Sequence, residues 1–113
     1  MAIPERVRDN VASLLSEFCA TRVPERVRDQ IRLGFRFEGS VVFLTESRSP
    51  YDGRGNWTHL DVARFRYFAS RREWVLYWAD RNSKWHRYDL GSWTGFKRLL
   101  HEVDDDPTCI FWG

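Results

Sequence analysis

Hydrophobic and polar residues alternate most regularly between residues 62 and 88, where the chain reads VARFRYFASRREWVLYWADRNSKWHRY. A period of two is typical of β-strands, because successive side chains of a strand point to opposite faces of the sheet. The pattern predicts three strands, at residues 62–68, 74–79 and 84–89, joined by short hairpin loops at two polar breaks.

The lengths of these two loops decide which residues share a face of the sheet. Loops of two or four residues at either break give the same assignment. The predicted core face is then made of Ala63, Phe65, Tyr67, Trp74, Leu76, Trp78 and Trp85. The opposite face is predicted to be basic and aromatic, with Arg64, Arg66, Val75, Tyr77, Lys84, His86 and Tyr88.

Two other segments repeat apolar residues every three or four positions, as on one side of an α-helix. The first predicted helix covers residues 4–20, and Pro24 argues against its continuation. The second has Ser92 as its N-cap and ends at the acidic residues 104–106.

Two further strands are predicted between the first helix and the alternating stretch. Residues 31–37 alternate, Gly39 suits a turn because glycine accepts positive φ, and residues 41–45 form the returning strand. Because this second strand is apolar on both faces, we expect it inside the sheet. Residues 47–56 are rich in Ser, Pro, Asp and Gly and form the longest predicted loop, either a plain connector or, with Trp57, part of a small-molecule site.

The order of helix, five short strands in hairpins and helix predicts one α+β domain over residues 1–113, with an antiparallel sheet. Both helices would cover the core face and leave the basic and aromatic face open. Ile110, Phe111 and Trp112 are too apolar for an exposed end, so the C-terminal tail is predicted to fold back onto the core.

Composition narrows the class of protein. The 113 residues are 42% hydrophobic and 16% aromatic, which suits a folded domain and argues against disorder. No segment approaches the ~18 consecutive apolar residues of a membrane span, and the N-terminus lacks the apolar stretch of a signal peptide. We therefore expect a cytoplasmic protein without membrane contact. Cys19 and Cys109 have no metal-ligand spacing, so we expect reduced thiols and no metal or cofactor.

Charge is unevenly spread along the chain. The formal net charge is +2, but four of the 16 acidic residues lie at 102–106, while all 18 basic residues precede His101. The first hundred residues therefore carry a surplus of six positive charges.

A basic and aromatic face suggests nucleic-acid binding, because arginine and lysine attract phosphates and exposed rings stack on any base. The candidate residues on the face and at the hairpin tips are Arg64, Arg66, Arg71, Arg72, Tyr77, Arg81, Lys84, His86 and Tyr88. No recognition helix for a duplex groove is evident, so single-stranded or irregular DNA or RNA fits better. An ordinary solvated face, on which arginine and tyrosine pair across strands, would show the same pattern.

Two other classes of function stay open. Trp and Arg are frequent at protein interfaces, so the domain could bind a protein or form a homodimer through a sheet edge. Enzyme fingerprints such as the P-loop and H-E-x-x-H are absent, so we assign no catalytic residue. A metal-dependent nuclease is the more remote hypothesis, built from Glu46, Asp61, Asp80 and Lys84 with His59 or His86 as base. Asp80 is better explained as a turn former.

Four segments, VPERVRDQIRL, NWTHLDVARFRY, WVLYWADRNSKWHRY and DPTCIFWG, resemble in order and spacing the bacterial family catalogued as domain of unknown function 3024. The most specific part is W-x-L-Y-W-x-D-R-N-x-x-W-H-x-Y, from Trp74 to Tyr88, followed by D-P-T-x-I-F-W-G. The family has glycine where this chain has Cys109. The resemblance covers nearly the whole chain and implies a small, stand-alone bacterial cytoplasmic protein. It implies no catalytic residue, cofactor or partner.

Overall fold

The computed structural model describes residues 3–50, 53–88 and 95–112, and its architecture is α+β, as predicted. The elements in chain order are helix α1 (Glu5–Arg22), a 3-10 helix (Glu25–Val27), strands β1 (Ile31–Glu38), β2 (Val41–Arg48), β3 (Thr58–Phe68), β4 (Glu73–Ala79) and β5 (Trp85–Arg87), and helix α2 (Phe96–Asp105). The strands form one antiparallel sheet in the order β1-β2-β3-β4-β5. Each strand therefore pairs with its neighbours in the sequence.

Both helices pack on one face of the sheet, and the core lies between them and the strands. Five of the six predicted core residues of β3 and β4 are buried there, with Phe65 and Leu76 at 0% exposure and Trp74 at 1%, and the sixth, Trp78, is half-buried. Burial of each such side chain contributes about 1.5–3 kcal/mol. The opposite face carries neither helix, and we call it the open face.

The ends of both helices follow from local backbone chemistry. Helix α1 stops at Arg22, because Val23 precedes Pro24 and takes extended angles (φ −98°, ψ 113°). Helix α2 begins at Phe96 with Gly95 in the N-cap position. The predicted N-cap, Ser92, lies outside the described residues. No helix in the described ranges is long and apolar enough to cross a membrane.

The β1–β2 hairpin has the predicted turn. Gly39 takes a φ of 60° at the first of two turn positions, as in a type II′ turn. Strands β2 and β3 extend beyond their predicted bounds, because polar side chains pair across them. The Ser47 hydroxyl, for example, lies 2.7 Å from Nδ1 of His59. The loop between them shortens to residues 49–57, of which 51 and 52 lie outside the described residues. At its end Trp57 is half-buried, with Cζ of Arg32 at 4.5 Å from its ring.

The C-terminal tail packs against the core, as predicted. Asp106 ends α2 in the left-handed conformation (φ 43°, ψ 57°). Its carboxylate accepts hydrogen bonds from the backbone N–H groups of Ile110, Phe111 and Trp112 at 3.0, 3.1 and 2.9 Å. The ring of Phe111 is buried 5.3 Å from that of Tyr88. One of the acidic residues at the end of α2, Asp106, thus holds the tail in place.

The β4–β5 loop has three residues, 81–83, where the sequence suggested two or four. The N–H of Ser83 donates to the carbonyl of Asp80 at 2.9 Å, and the N–H of Asp80 donates to the carbonyl of Lys84 at 2.9 Å. Ser83 has a φ of 62°. This is a type I turn followed by a left-handed bulge residue, a common three-residue hairpin.

The odd loop length exchanges the two faces of β5, so its predicted face assignment is wrong. Trp85 lies on the open face rather than in the core, because its backbone partner is Ala79. His86 lies on the helix side, with its ring 4.7 Å from that of Trp78. Tyr88 is 8% exposed and belongs to the core.

Candidate functional site

A straight row of five residues crosses the open face, one from each strand. The registers pair Arg36 with Phe43, Phe43 with Arg64, Arg64 with Tyr77, and Tyr77 with Arg87. Cation and ring therefore alternate from β1 to β5. Because adjacent strands lie about 4.8 Å apart, the row is about 19 Å long. We call these five residues the arginine–aromatic row.

Two guanidinium groups of the row lie over neighbouring rings. Cζ of Arg36 is 4.3 Å from the ring centroid of Phe43, and Cζ of Arg64 is 4.5 Å from that of Tyr77. Trp85 widens the row, with its ring 6.0 Å from Phe43 and 5.7 Å from Cζ of Arg64. Each contact of this kind contributes about 0.5–1 kcal/mol at an exposed site. The contacts hold planar cations against the sheet.

The charge of Arg36 is neutralised within the domain. Its two Nη atoms donate to the carboxylate oxygens of Asp61 at 2.7 and 3.0 Å, and its Nε donates to Glu38 at 2.6 Å. The hydrogen bonds from Arg36 and then from Thr45 lower the pKa of Asp61, and burial opposes them. The bonds to Asp61 and Glu38 raise the pKa of Arg36. With two carboxylates against one guanidinium, this end of the row offers no net positive charge.

The rest of the open face keeps its positive charge. Arg64, Arg66 and Arg87 form no ion pair within the ranges that the structure describes. The Nε atom of Arg64 is buried without a hydrogen-bond partner. Arg66 is exposed, with its Cζ 4.8 Å from the ring of Phe68. Three uncompensated charges thus lie beside three rings, those of Phe43, Tyr77 and Trp85.

The predicted candidate residues do not all come together. Arg64, Arg66 and Tyr77 lie on the open face. His86 and Tyr88 lie on the other side, as described above. The four hairpin-tip residues are exposed but lie at opposite ends of β4, Arg71 and Arg72 at its start and Arg81 and Lys84 beyond its end.

The nucleic-acid-binding residues predicted from the sequence lack four residues of the open face, namely Arg36, Phe43, Trp85 and Arg87. A signal existed for the first two, because the alternation of β1 and a two-residue turn at Gly39 place Arg36 opposite Phe43. For the two residues of β5 the signal was the length of the preceding loop, which the sequence leaves ambiguous.

The carboxylates of the hypothetical nuclease are already engaged. Asp61 binds Arg36, as described. Asp80 accepts hydrogen bonds from the backbone N–H groups of Asn82 and Lys84 at 2.8 and 3.0 Å, and its Oδ2 lies 2.6 Å from Nε2 of His86. The contact with His86, followed by those backbone bonds, lowers the pKa of Asp80 to about 2. In the described ranges no group of three His, Cys, Asp or Glu side chains could hold a metal ion.

Both cysteines are free thiols. Cys19 is half-buried, and burial raises its pKa to about 11, so the thiolate is scarce at neutral pH. Cys109 is exposed and has a φ of 59°, a conformation that favours glycine. The glycine that the family resemblance implies at this position would adopt this φ without strain.

Comparison with known proteins places the chain in a family. No curated protein and no solved structure matches it. The family model described as Domain of unknown function (DUF3024) matches residues 3–113, which is essentially the whole chain. The chain therefore belongs to the DUF3024 family.

Proposed function

We propose that this domain binds single-stranded or irregular nucleic acid through the arginine–aromatic row and does not catalyse a reaction on it. The observation that carries the proposal is the alternation of cation and ring across all five strands, on a face that neither helix covers. Guanidinium groups contact phosphates, and rings and guanidinium planes stack on bases. On the family resemblance, we also propose a bacterial cytoplasmic setting.

The shape of the open face favours unpaired strands over a duplex. A groove reader inserts a helix or a β-ribbon between the two backbones, whereas both helices here pack on the other face. A flat sheet with rings between cations suits bases that are free to turn towards the protein. We therefore expect single strands to bind more tightly than duplexes of the same length.

Phosphate contacts set the dependence of affinity on salt. The three uncompensated arginines, Arg64, Arg66 and Arg87, would neutralise three phosphates. For single strands the slope of log K against log salt is about −0.7 per phosphate, so the expected slope is about −2. Affinity should fall about 20-fold between about 50 and 200 mM salt. A partner held by apolar contacts would respond far less.

Fluorescence anisotropy of labelled oligonucleotides of about ten nucleotides tests the proposal directly. Single-stranded RNA and DNA and the matching duplexes are titrated with the protein across the salt series. Single-strand binding with the expected slope supports the proposal. Absence of binding at the lowest salt, or tighter binding of the duplex, would overturn it.

A charge-matched pair of variants locates the interface. Arg66 and Arg87 are exposed, so Arg66→Glu with Arg87→Glu should leave the fold intact while removing two phosphate contacts. The slope should fall in magnitude by at least about 1.4. The control, Arg6→Glu with Arg26→Glu, makes the same charge change at exposed sites on α1 and the 3-10 helix. Equal losses in both variants would show that net charge, not the open face, governs binding.

Homodimerisation is the second candidate, and strand β1 favours it. β1 is an edge strand of eight residues, Ile31–Glu38, and pairs only with β2 among the described strands. An edge of this length offers peptide groups to another strand. Sedimentation equilibrium over a concentration series measures whether the protein forms dimers. A monomer at every concentration would remove this candidate.

A further inference from the structure

A cleft opens at the end of the sheet, where β3 and the β4–β5 hairpin separate. The β3–β4 pairing ends at the pair Ala63–Trp78. Beside this point β3 has a bulge, because Leu44 pairs with Ala63 and the next residue of β2, Thr45, pairs with Asp61. The cleft has a volume of about 520 Å³, within the range of about 300–1,000 Å³ for small-ligand sites.

The walls of the cleft are apolar on one side and aromatic on another. Leu60, Val62 and Phe111 form the apolar part, and Trp85 contributes its indole. Leu60 is 60% exposed and is the one large hydrophobic residue in the described ranges that is so exposed. Leu60 pairs with Glu46 and lies on the helix side of the sheet, whereas Trp85 lies on the open face, so the cleft reaches both faces through the gap between β3 and the β4–β5 hairpin.

Peptide groups and charges provide the polar part of the cleft. Of the described strands, none pairs with β3 on this side before Ala63, so backbone N–H and C=O groups of β3 remain for a ligand. Asp61 and Asp80 line the cleft, but their carboxylates are bound to Arg36 and to the β4–β5 loop with His86. Arg81 is exposed at the rim.

The cleft joins the arginine–aromatic row at Trp85. Cζ of Arg64 lies 5.7 Å from the Trp85 ring, so one nucleotide can place its phosphate on the first and its base beside the second. We infer that the cleft seats one unpaired nucleobase of the bound strand, stacked on Trp85, with its flanking phosphate on Arg64. This inference rests on the proposed function of the open face.

A nucleobase matches each surface of the cleft. Its flat π-face suits an indole, its edge carries donors and acceptors for peptide groups, and its plane covers apolar carbon. The phosphates on either side of the base would meet Arg64 and Arg81. A purely apolar ligand would leave the peptide groups of β3 without partners, which costs binding free energy.

Nuclear magnetic resonance with two matched oligonucleotides tests the inference. One is a single strand of about five nucleotides, and the other has the same backbone with every base removed. The first should shift the methyl signals of Leu60 and the indole N–H of Trp85, and should bind about tenfold more tightly. The abasic strand should shift only signals along the row, such as those of Arg66 and Arg87.

The outcomes separate this inference from the proposed function. If the base-bearing strand binds more tightly but the signals of Leu60 and Trp85 do not respond, the nucleobase site is refuted while the open-face proposal stands. If neither strand binds at low salt, the nucleobase site and the open-face proposal are both refuted.

A variant gives a second measurement that does not depend on signal assignment. Leu60→Ser removes apolar surface at an exposed position, so the fold should persist. It should weaken the binding of the base-bearing strand several-fold and leave the binding of the abasic strand unchanged. Leu60→Met, which keeps the apolar surface at the same position, is the control and should change the binding of neither strand. An equal loss for both strands in Leu60→Ser would overturn the inference.

Discussion

Replacement of Asp106 should release the C-terminal tail and destabilise the domain. The carboxylate of Asp106 accepts three backbone N–H groups, those of Ile110, Phe111 and Trp112. Asp106→Ala leaves all three without this acceptor. The tail also carries the buried ring of Phe111, which contacts Tyr88, so its release would expose apolar surface of the core.

The size of the effect follows from these contacts. A hydrogen bond to a charged acceptor contributes about 1.5–3 kcal/mol, and less where water can replace the acceptor. Asp106 is half-buried, so we expect about 3–5 kcal/mol for the three bonds together. The φ of 43°, which Asp tolerates better than Ala, adds to this loss. The total approaches the whole stability of a small domain, which is about 5–15 kcal/mol.

Urea unfolding followed by tryptophan fluorescence and circular dichroism measures this loss. Asp106→Asn keeps tolerance of the left-handed conformation and one oxygen acceptor, so it should cost less than Asp106→Ala. Asp105→Ala is the control, because Asp105 is exposed and contacts only His101, at 3.7 Å, among the described ion pairs. Equal midpoints for Asp106→Ala and Asp105→Ala would refute this role of Asp106.

Two further predictions concern stability. Cys109→Gly should raise the free energy of unfolding by about 1 kcal/mol, because φ is 59°, whereas Cys109→Ala should not; equal denaturant midpoints would contradict this. Asp61→Asn should cost about 1 kcal/mol or less at neutral pH. Because Arg36 lowers the pKa of Asp61 below 3.8, its contribution is present above that value and is lost as pH falls through the lowered pKa, so acid titration of wild type and variant should converge.

The core of the sheet is predictable from the sequence because the alternation of apolar and polar residues is local and repeats along each strand. Phe65, Trp74 and Leu76 fall on one face through simple alternation, and the four-residue loop between β3 and β4 preserves that alternation. The turn at Gly39 is predictable for the same reason, since glycine is the residue that adopts positive φ without strain.

The face of β5 could not be predicted because the deciding residue has no distinctive side chain. Ser83 takes the left-handed conformation, whereas Asn is the more usual non-glycine residue there, and Asn82 lies one position earlier. The sequence likewise gives no indication of the bulge in β3. It places Val62 next to Ala63 with both side chains buried, and two adjacent apolar residues do not indicate which one is extra.

The same three-residue loop shapes both the core and the open face. It places Tyr88 in the core, where its hydroxyl donates to Glu102 of α2 at 2.9 Å and ties the end of the sheet to that helix. It also places Trp85 and Arg87 on the open face, where one widens the arginine–aromatic row and the other completes it. With an even loop, His86 would replace Trp85 and the row would end at Tyr77.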